Sequence, residues 1–136
     1  MLLLLDTCAA IWISDNARLS EGAVQALDEA NDQGRPVFVS PITAWEIALL
    51  VARGRIALPR GPDAWFDRLM EAPALRLAEL PPAVFVASAF LPGAPPRDPA
   101  DRIIAATARA FDLIVVTRDR ALLAYANAGH LRAIAC

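Results

Sequence analysis

Lysine is absent from the 136 residues, so all thirteen basic side chains are arginine. That absence removes Schiff-base chemistry, a phosphate-loop lysine and a general-base lysine. Histidine is scarce as well, with His130 the single one, which leaves a catalytic triad or a zinc site poorly supplied. The two cysteines, Cys8 and Cys136, stand far apart without a metal-ligand spacing. Free thiols in a reducing compartment fit that pattern, and the cytoplasm is the expected address. No apolar run approaches the roughly 20 residues of a membrane span. Met1 to Leu5 has no basic start and ends at Asp6 after a strand's length, so it reads as a first strand and not as a signal peptide.

Basic excess is lacking too. The net charge is −2 and the isoelectric point about 5.3, which excludes an indiscriminate nucleic-acid coater without excluding a nucleic-acid substrate. What is present is apolar material and carboxylate. Apolar residues make up 57% and charged residues 21%, with a mean hydropathy of +0.41, enough for one globular domain over residues 1–136.

Short apolar runs alternate with helical patterns, the mark of an α/β domain with a mostly parallel sheet. The expected strands are Leu2 to Leu5, Val37 to Val39, Leu75 to Ala78, Leu113 to Val116 and Leu131 to Ala135. Helices fill the intervals. One follows Asp6 and carries Ile11 and Trp12; the next runs from Ser20 to Gly34 with Val24 and Leu27 inward. Ser40-Pro41 starts a third that continues to Arg53-Gly54. Asp63 is expected to cap a helix bearing Trp65, Phe66 and Leu69, and Pro81-Pro82 opens another carrying Phe85, Val86 and Phe90. The proline-rich stretch between Leu91 and Pro99 reads as a stiff surface loop.

In an open parallel sheet, ligands gather beyond the carboxyl ends of the strands. Asp6 follows the first strand directly, and Asp119 follows Leu113 to Val116 with Thr117 and Arg118 between. Asp112 precedes that strand and belongs at the opposite edge. A helix N-cap is the ordinary role of an acid in such a place, and it accounts well for Asp98 in Asp-Pro-Ala-Asp. It accounts less well for Asp101, whose helix face continues into Ile104, Ala105 and Ala108. Glu46 has no capping role, because it lies within a helix among Ile42, Leu49 and Leu50. A carboxylate on such a face needs a partner: a buried arginine, with Arg102 and Arg118 the candidates, or a metal ion. Brought together, Asp6, Glu46, Asp101 and Asp119 would repel one another and call for a divalent cation. Oxygen ligands without His or Cys select Mg²⁺ or Mn²⁺, and such a site suits phosphodiester hydrolysis. Thr7, Ser40 and Thr117 are placed to hold substrate or water, with helix capping their alternative role.

Four stretches carry a resemblance: Leu-Leu-Leu-Asp-Thr, Ser-Pro-Ile-Thr-Ala-Trp-Glu-Ile, Arg-Asp-Pro-Ala-Asp-Arg-Ile-Ile-Ala-Ala-Thr-Ala and Val-Val-Thr-Arg-Asp-Arg. In this order, over nearly the whole chain, they resemble PIN-domain ribonucleases, in particular the VapC toxins of type II toxin–antitoxin (VapBC) pairs. The resemblance implies a three-layer α/β/α fold and an acidic site matching Asp6, Glu46, Asp101 and Asp119, with Asp98 of the same motif either a further metal ligand or only the helix cap. It also implies Mg²⁺- or Mn²⁺-dependent endonucleolytic cleavage of RNA, homodimerisation and inhibition by a VapB-type antitoxin. Ala100, where a bulkier aromatic is frequent, and the missing lysine depart from the pattern, and neither touches the acids.

Arginines carry the expected RNA contacts, since no lysine is available: Arg97, Arg102, Arg118 and Arg120 flank the predicted site and are expected to grip the backbone. Trp12, Trp45, Trp65 and Phe66 offer aromatic surface for a partner helix, with core packing the expected use of Trp45. Two other readings compete. A haloacid-dehalogenase-type phosphatase would need a second Asp two residues after Asp6 and a lysine, whereas Cys8 stands there. The other is a catalytically silent PIN-like module that binds RNA or protein.

Overall fold

The computed structural model describes residues 2–136. Over these it contains β1 (Leu2–Leu5), α1 (Thr7–Ser14), α2 (Glu21–Asp32), β2 (Val37–Val39), α3 (Pro41–Ala52), α4 (Pro62–Met70), β3 (Leu75–Leu77), α5 (Pro82–Ala89), α6 (Pro99–Phe111), β4 (Leu113–Thr117), α7 (Arg120–Asn127) and β5 (Arg132–Ala135). The sheet order is β3-β2-β1-β4-β5, and every pairing is parallel. After β1 the chain winds outward through β2 to β3, then returns to lay β4 on the other side of β1. The reversal falls between β1 and β4, where the loops leaving adjacent strands diverge and open a crevice.

Strand alternation builds a core on each face. Leu3, Leu5, Ile114 and Val116 point to one side and pack against Ala9, Ala10, Ala23, Ala30, Trp65 and Leu69 of α1, α2 and α4. Leu4, Leu113 and Val115 point to the other and meet Ile103, Ile104 and Ala108 of α6 and Leu122 and Tyr125 of α7. This is the three-layer α/β/α arrangement expected.

Local chemistry fixes most boundaries. Ser20 accepts from the Ala23 N–H at 3.1 Å, and Ser40 from the Ile42 N–H at 3.1 Å with Pro41 next in line. Asp98 and Asp119 cap α6 and α7 in the same way. Corrections arise where a neighbour overrides the pattern. Helix α4 starts at Pro62 behind Gly61, so Asp63 lies inside its first turn and does not cap it. Val24 is exposed, because α2 turns Ala23 and Ala30 onto the sheet instead. Trp45 is 48% exposed, since α3 buries Ile42, Thr43 and Ile47 on its other side. On α5 only Val84 is buried, leaving Phe85, Val86 and Phe90 in solvent.

The stiff loop before α6 is locked by the lone histidine. His130 stacks on Tyr125 with ring centroids 4.8 Å apart, and the Tyr125 hydroxyl donates to the Pro92 carbonyl at 2.6 Å. Gly93 has φ +70°, and a Cβ there would collide with the His130 ring, whereas one on Gly54, at φ +68°, would meet open space. Gly93→Ala is expected to cost about 2–3 kcal/mol, the left-handed strain plus a displaced ring, and Gly54→Ala only about 1 kcal/mol. Urea unfolding of both variants checks the difference; equal costs would show that the His130 contact does not hold the loop.

Candidate active site

Asp6 and Asp119 emerge at the β1/β4 crevice. Asp6 is 4% exposed; its carboxylate accepts from the Ala9 N–H at 2.8 Å and from the Thr117 hydroxyl. Thr117 in turn accepts from the Asp119 N–H at 2.9 Å, so one hydroxyl ties the two strand-end acids together. Asp119 closes its own helix by accepting from the Leu122 N–H at 2.9 Å.

Glu46 meets a hydroxyl and not a guanidinium. Thr7 donates to its Oε1 at 2.5 Å, and the Thr7 oxygen lies 3.1 Å from that of Thr43. Thr7 has one proton and directs it to Glu46, so Thr43 is the donor of the second bond. The buried arginine partner allowed by the sequence is therefore corrected. Arg102 donates to the carbonyls of Ser88, Pro96 and Ala89, and Arg118 to those of Cys136 and Arg18.

The five acids share one field. Burial pushes the Asp101 carboxyl up to about 8, and Asp119, Asp98, Glu46 and Asp6 all push the same way. Burial likewise raises Glu46 against the lowering effect of Thr7, with Asp98, Asp6 and Asp119 adding to the rise. Asp6 is raised by burial, against its bonds to Thr117 and Ala9 and with help from Asp119. Cys8, in the first turn of α1, feels the same cluster: burial, then Asp6, Glu46, Asp101 and Asp119, push its thiol up to about 11. Asp98 is exposed and caps α6 by accepting from the Asp101 N–H at 3.0 Å. Asp112 lies apart, bonded to Arg132 at 2.5 Å.

Ser40 is buried and occupied by its capping bond. Arg97 and Arg120, beside Asp98 and Asp119 in sequence, are exposed. Sequence reasoning missed Thr43, although it stands three residues before Glu46, one helical turn away on the same face.

All the donors gathered here are oxygens, and their mutual repulsion is what a hard divalent cation relieves. Among the described residues, no three His, Cys, Asp or Glu side chains stand within joint ligating reach as placed. Asp6 and Glu46 are turned onto Ala9, Thr117 and Thr7, and an ion would compete with those contacts.

A parallel three-layer domain with carboxylates collected at its topological switch point defines a class of acidic-centre α/β/α proteins. Within that class the chain belongs to the PIN-domain family, whose model matches residues 3–128. It is 37% identical over 120 residues, covering 88% of each chain, to Ribonuclease VapC22 of Mycobacterium tuberculosis (strain ATCC 25618 / H37Rv). Among solved structures, FitAcB from Neisseria gonorrhoeae matches with a TM-score of 0.57 and 26% identity, over 98% of this chain and 96% of that one. VapBC2 from Rickettsia felis, bound to a DNA fragment from their promoter, matches in fold with a TM-score of 0.69 and 13% identity, over 99% and 98%.

Proposed function

We propose that the protein is a Mg²⁺- or Mn²⁺-dependent endoribonuclease toxin of the VapC type, neutralised by a cognate VapB-type antitoxin. The observation that carries this reading is the convergence of Asp6, Glu46, Asp101 and Asp119 on one electrostatic field at the β1/β4 crevice. The name of the curated relative, a ribonuclease, and the VapBC and FitAcB names of the structural neighbours support it.

Asp6, Glu46, Asp101 and Asp119, with Asp98 at the rim, would hold the ion. When bound, such an ion supplies Lewis-acid stabilisation of the phosphodiester's developing charge and makes water a better nucleophile. The chain's own residues set the stage. Thr117 and Thr7 fix the carboxylates of Asp6 and Glu46. Burial and the neighbouring carboxylates raise the Asp101 carboxyl in the ion-free protein, and a bound cation would hold it ionised as a ligand. Arg97 and Arg120, both exposed and next in sequence to Asp98 and Asp119, are suited to RNA phosphates.

Two concavities flank α1 on the face away from α6 and suit an antitoxin segment. One of about 460 Å³ is lined by Ile13, Leu27 and Leu69, and one of about 480 Å³ by Ile11, Leu58 and Trp65. Ser14 and Arg68 border both. The exposed apolar side of α5, with Val86 and Phe90, offers a face for the homodimer. No helix among the described residues is long and apolar enough to cross a membrane, and we place the protein in the cytoplasm.

The test is cleavage of total cellular RNA by antitoxin-free protein with Mg²⁺ or Mn²⁺, beside an EDTA control and Asp6→Asn. Discrete fragments that need the ion and vanish in the variant are the expected result. Intact RNA with either ion, from folded protein free of antitoxin, would replace this reading with the silent binding module.

A further inference from the structure

We propose that Arg118 is a positioning residue of the acidic site, clamping the β4–α7 turn that carries Asp119 against α1, and not a ligand for RNA phosphate. This rests on the ribonuclease reading and identifies which arginine of the site serves geometry.

The guanidinium is engaged on several sides at once. Its Nε donates to the Cys136 carbonyl at 2.6 Å, and Nη2 donates to the Arg18 carbonyl at 2.9 Å. Its central carbon lies 3.1 Å from the centroid of the Trp12 ring, stacked on its face. Trp12 belongs to α1, the helix that Asp6 caps; Arg18 lies in the connection that follows it; and Cys136 follows β5, with its N–H donating to the Thr117 carbonyl at 3.0 Å. One planar, permanently charged group thus ties the β4–α7 turn to α1 and its following connection, 100 residues away at Arg18, and to Cys136, a task that suits the arginine fork and not a flexible ammonium.

Thr117, the last residue of β4, and Arg118, which follows it, therefore grip the same helix at different points along its length. Thr117 reaches the Asp6 carboxylate at the head of α1, and Arg118 reaches the ring of Trp12 nearly two turns further along. Asp119 follows immediately, its N–H held by the Thr117 oxygen. A shift of the turn along α1 would change the separation of Asp6 and Asp119 directly, and misplacement of about 1 Å in a catalytic constellation can cost on the order of 100-fold in rate.

Lysine and methionine substitutions separate this role from RNA gripping. Arg118→Lys keeps the charge that a phosphate contact needs and loses the planar fork; Arg118→Met loses both. Cleavage of a wild-type-sensitive RNA would be measured across a salt series, at a temperature where circular dichroism shows each variant folded. Mn²⁺ binding to the same proteins would be followed by electron paramagnetic resonance of the free ion. Both variants are expected to lose about 10- to 100-fold in kcat, with KM and its salt dependence unchanged and no recovery in the lysine variant. Mn²⁺ is expected to bind about 10-fold more weakly to both.

Recovery with lysine, together with a raised KM and a flatter salt dependence in the methionine variant, would overturn the proposal in favour of a phosphate contact. Unchanged kcat and Mn²⁺ binding beside a lowered melting temperature would reduce Arg118 to a stability role. Wild-type protein that binds Mn²⁺ without cleaving RNA would sink the ribonuclease reading alone, and the Mn²⁺ affinities would still decide the positioning role. Wild-type protein that neither cleaves nor binds would overturn both.

Discussion

Asp101→Asn is expected to lower RNA cleavage by about 10²- to 10⁴-fold, the range for removing a general base or a charge-stabilising group, while raising the melting temperature of the ion-free protein at pH 8. The two effects have opposite signs because, on the proposed function, the carboxylate serves a bound cation and burdens the fold without one. The Asp101 carboxyl is raised from 3.8 to about 8, first by burial and then by Asp119, Asp98, Glu46 and Asp6. A raised value means that the folded state holds the proton more tightly than the unfolded chain. The stabilisation is complete below the ordinary carboxyl value and is lost as pH climbs from about 4 through about 8. Asp6 and Glu46, also raised, add to the slope in the same direction. Ion-free wild-type protein should therefore melt progressively lower across that window, and the asparagine variant should show a flatter profile. Added Mg²⁺ should restore the wild type and leave the variant little changed. Scanning calorimetry at pH 5, 6.5 and 8 reads all of this; a variant less stable than wild type at pH 8 would refute the burial argument.

Ile104→Ala is expected to cost about 2–5 kcal/mol, the range for truncating a fully buried aliphatic residue. Ile104 is wholly enclosed in the cluster that joins α6 to Leu4, Val115 and Leu122. Removing its side chain leaves a cavity beneath the helix that carries Asp98 and Asp101, with β1 and β4 on the far side. Urea unfolding should show a lower midpoint with an unchanged slope. Phe90→Ala is the control: Phe90 is 81% exposed, so truncation there should be nearly neutral in the monomer. A loss below about 1 kcal/mol at Ile104 would mean that the face of α6 collapses readily and does not hold the acids in place.

The four acids of the candidate site were legible in the sequence because each stands at a place that local rules mark. Asp6 and Asp119 follow apolar runs of strand length, Asp101 follows a capping aspartate and a proline, and Glu46 interrupts an apolar helix face. The arginine partner expected for Glu46 failed for a physical reason. A long side chain covers several ångströms, and whether its guanidinium meets phosphate, carboxylate or carbonyl depends on what the fold brings within that reach. Arg102 and Arg118 lie beside acids in sequence, yet both guanidinium groups turn to backbone carbonyls. Trp45 was misplaced for a related reason: on an almost wholly apolar helix such as α3, periodicity gives no inward face, and its neighbours decided.

By itself the sequence determined the α/β class, the parallel strands and most helix starts, and it singled out the candidate acids. Those follow from alternation, capping and turn chemistry, all of which act over a few residues. Only the tertiary structure decided what each acid touches. The bonds from Thr7 to Glu46 and from Thr117 to Asp6 span 39 and 111 residues, and the Arg118 contact with Arg18 spans 100. Sequence separations of that size carry no local signal. The raised proton affinity of Asp101 likewise exists only once α6, α3, β1 and β4 have brought their carboxylates into one poorly solvated place.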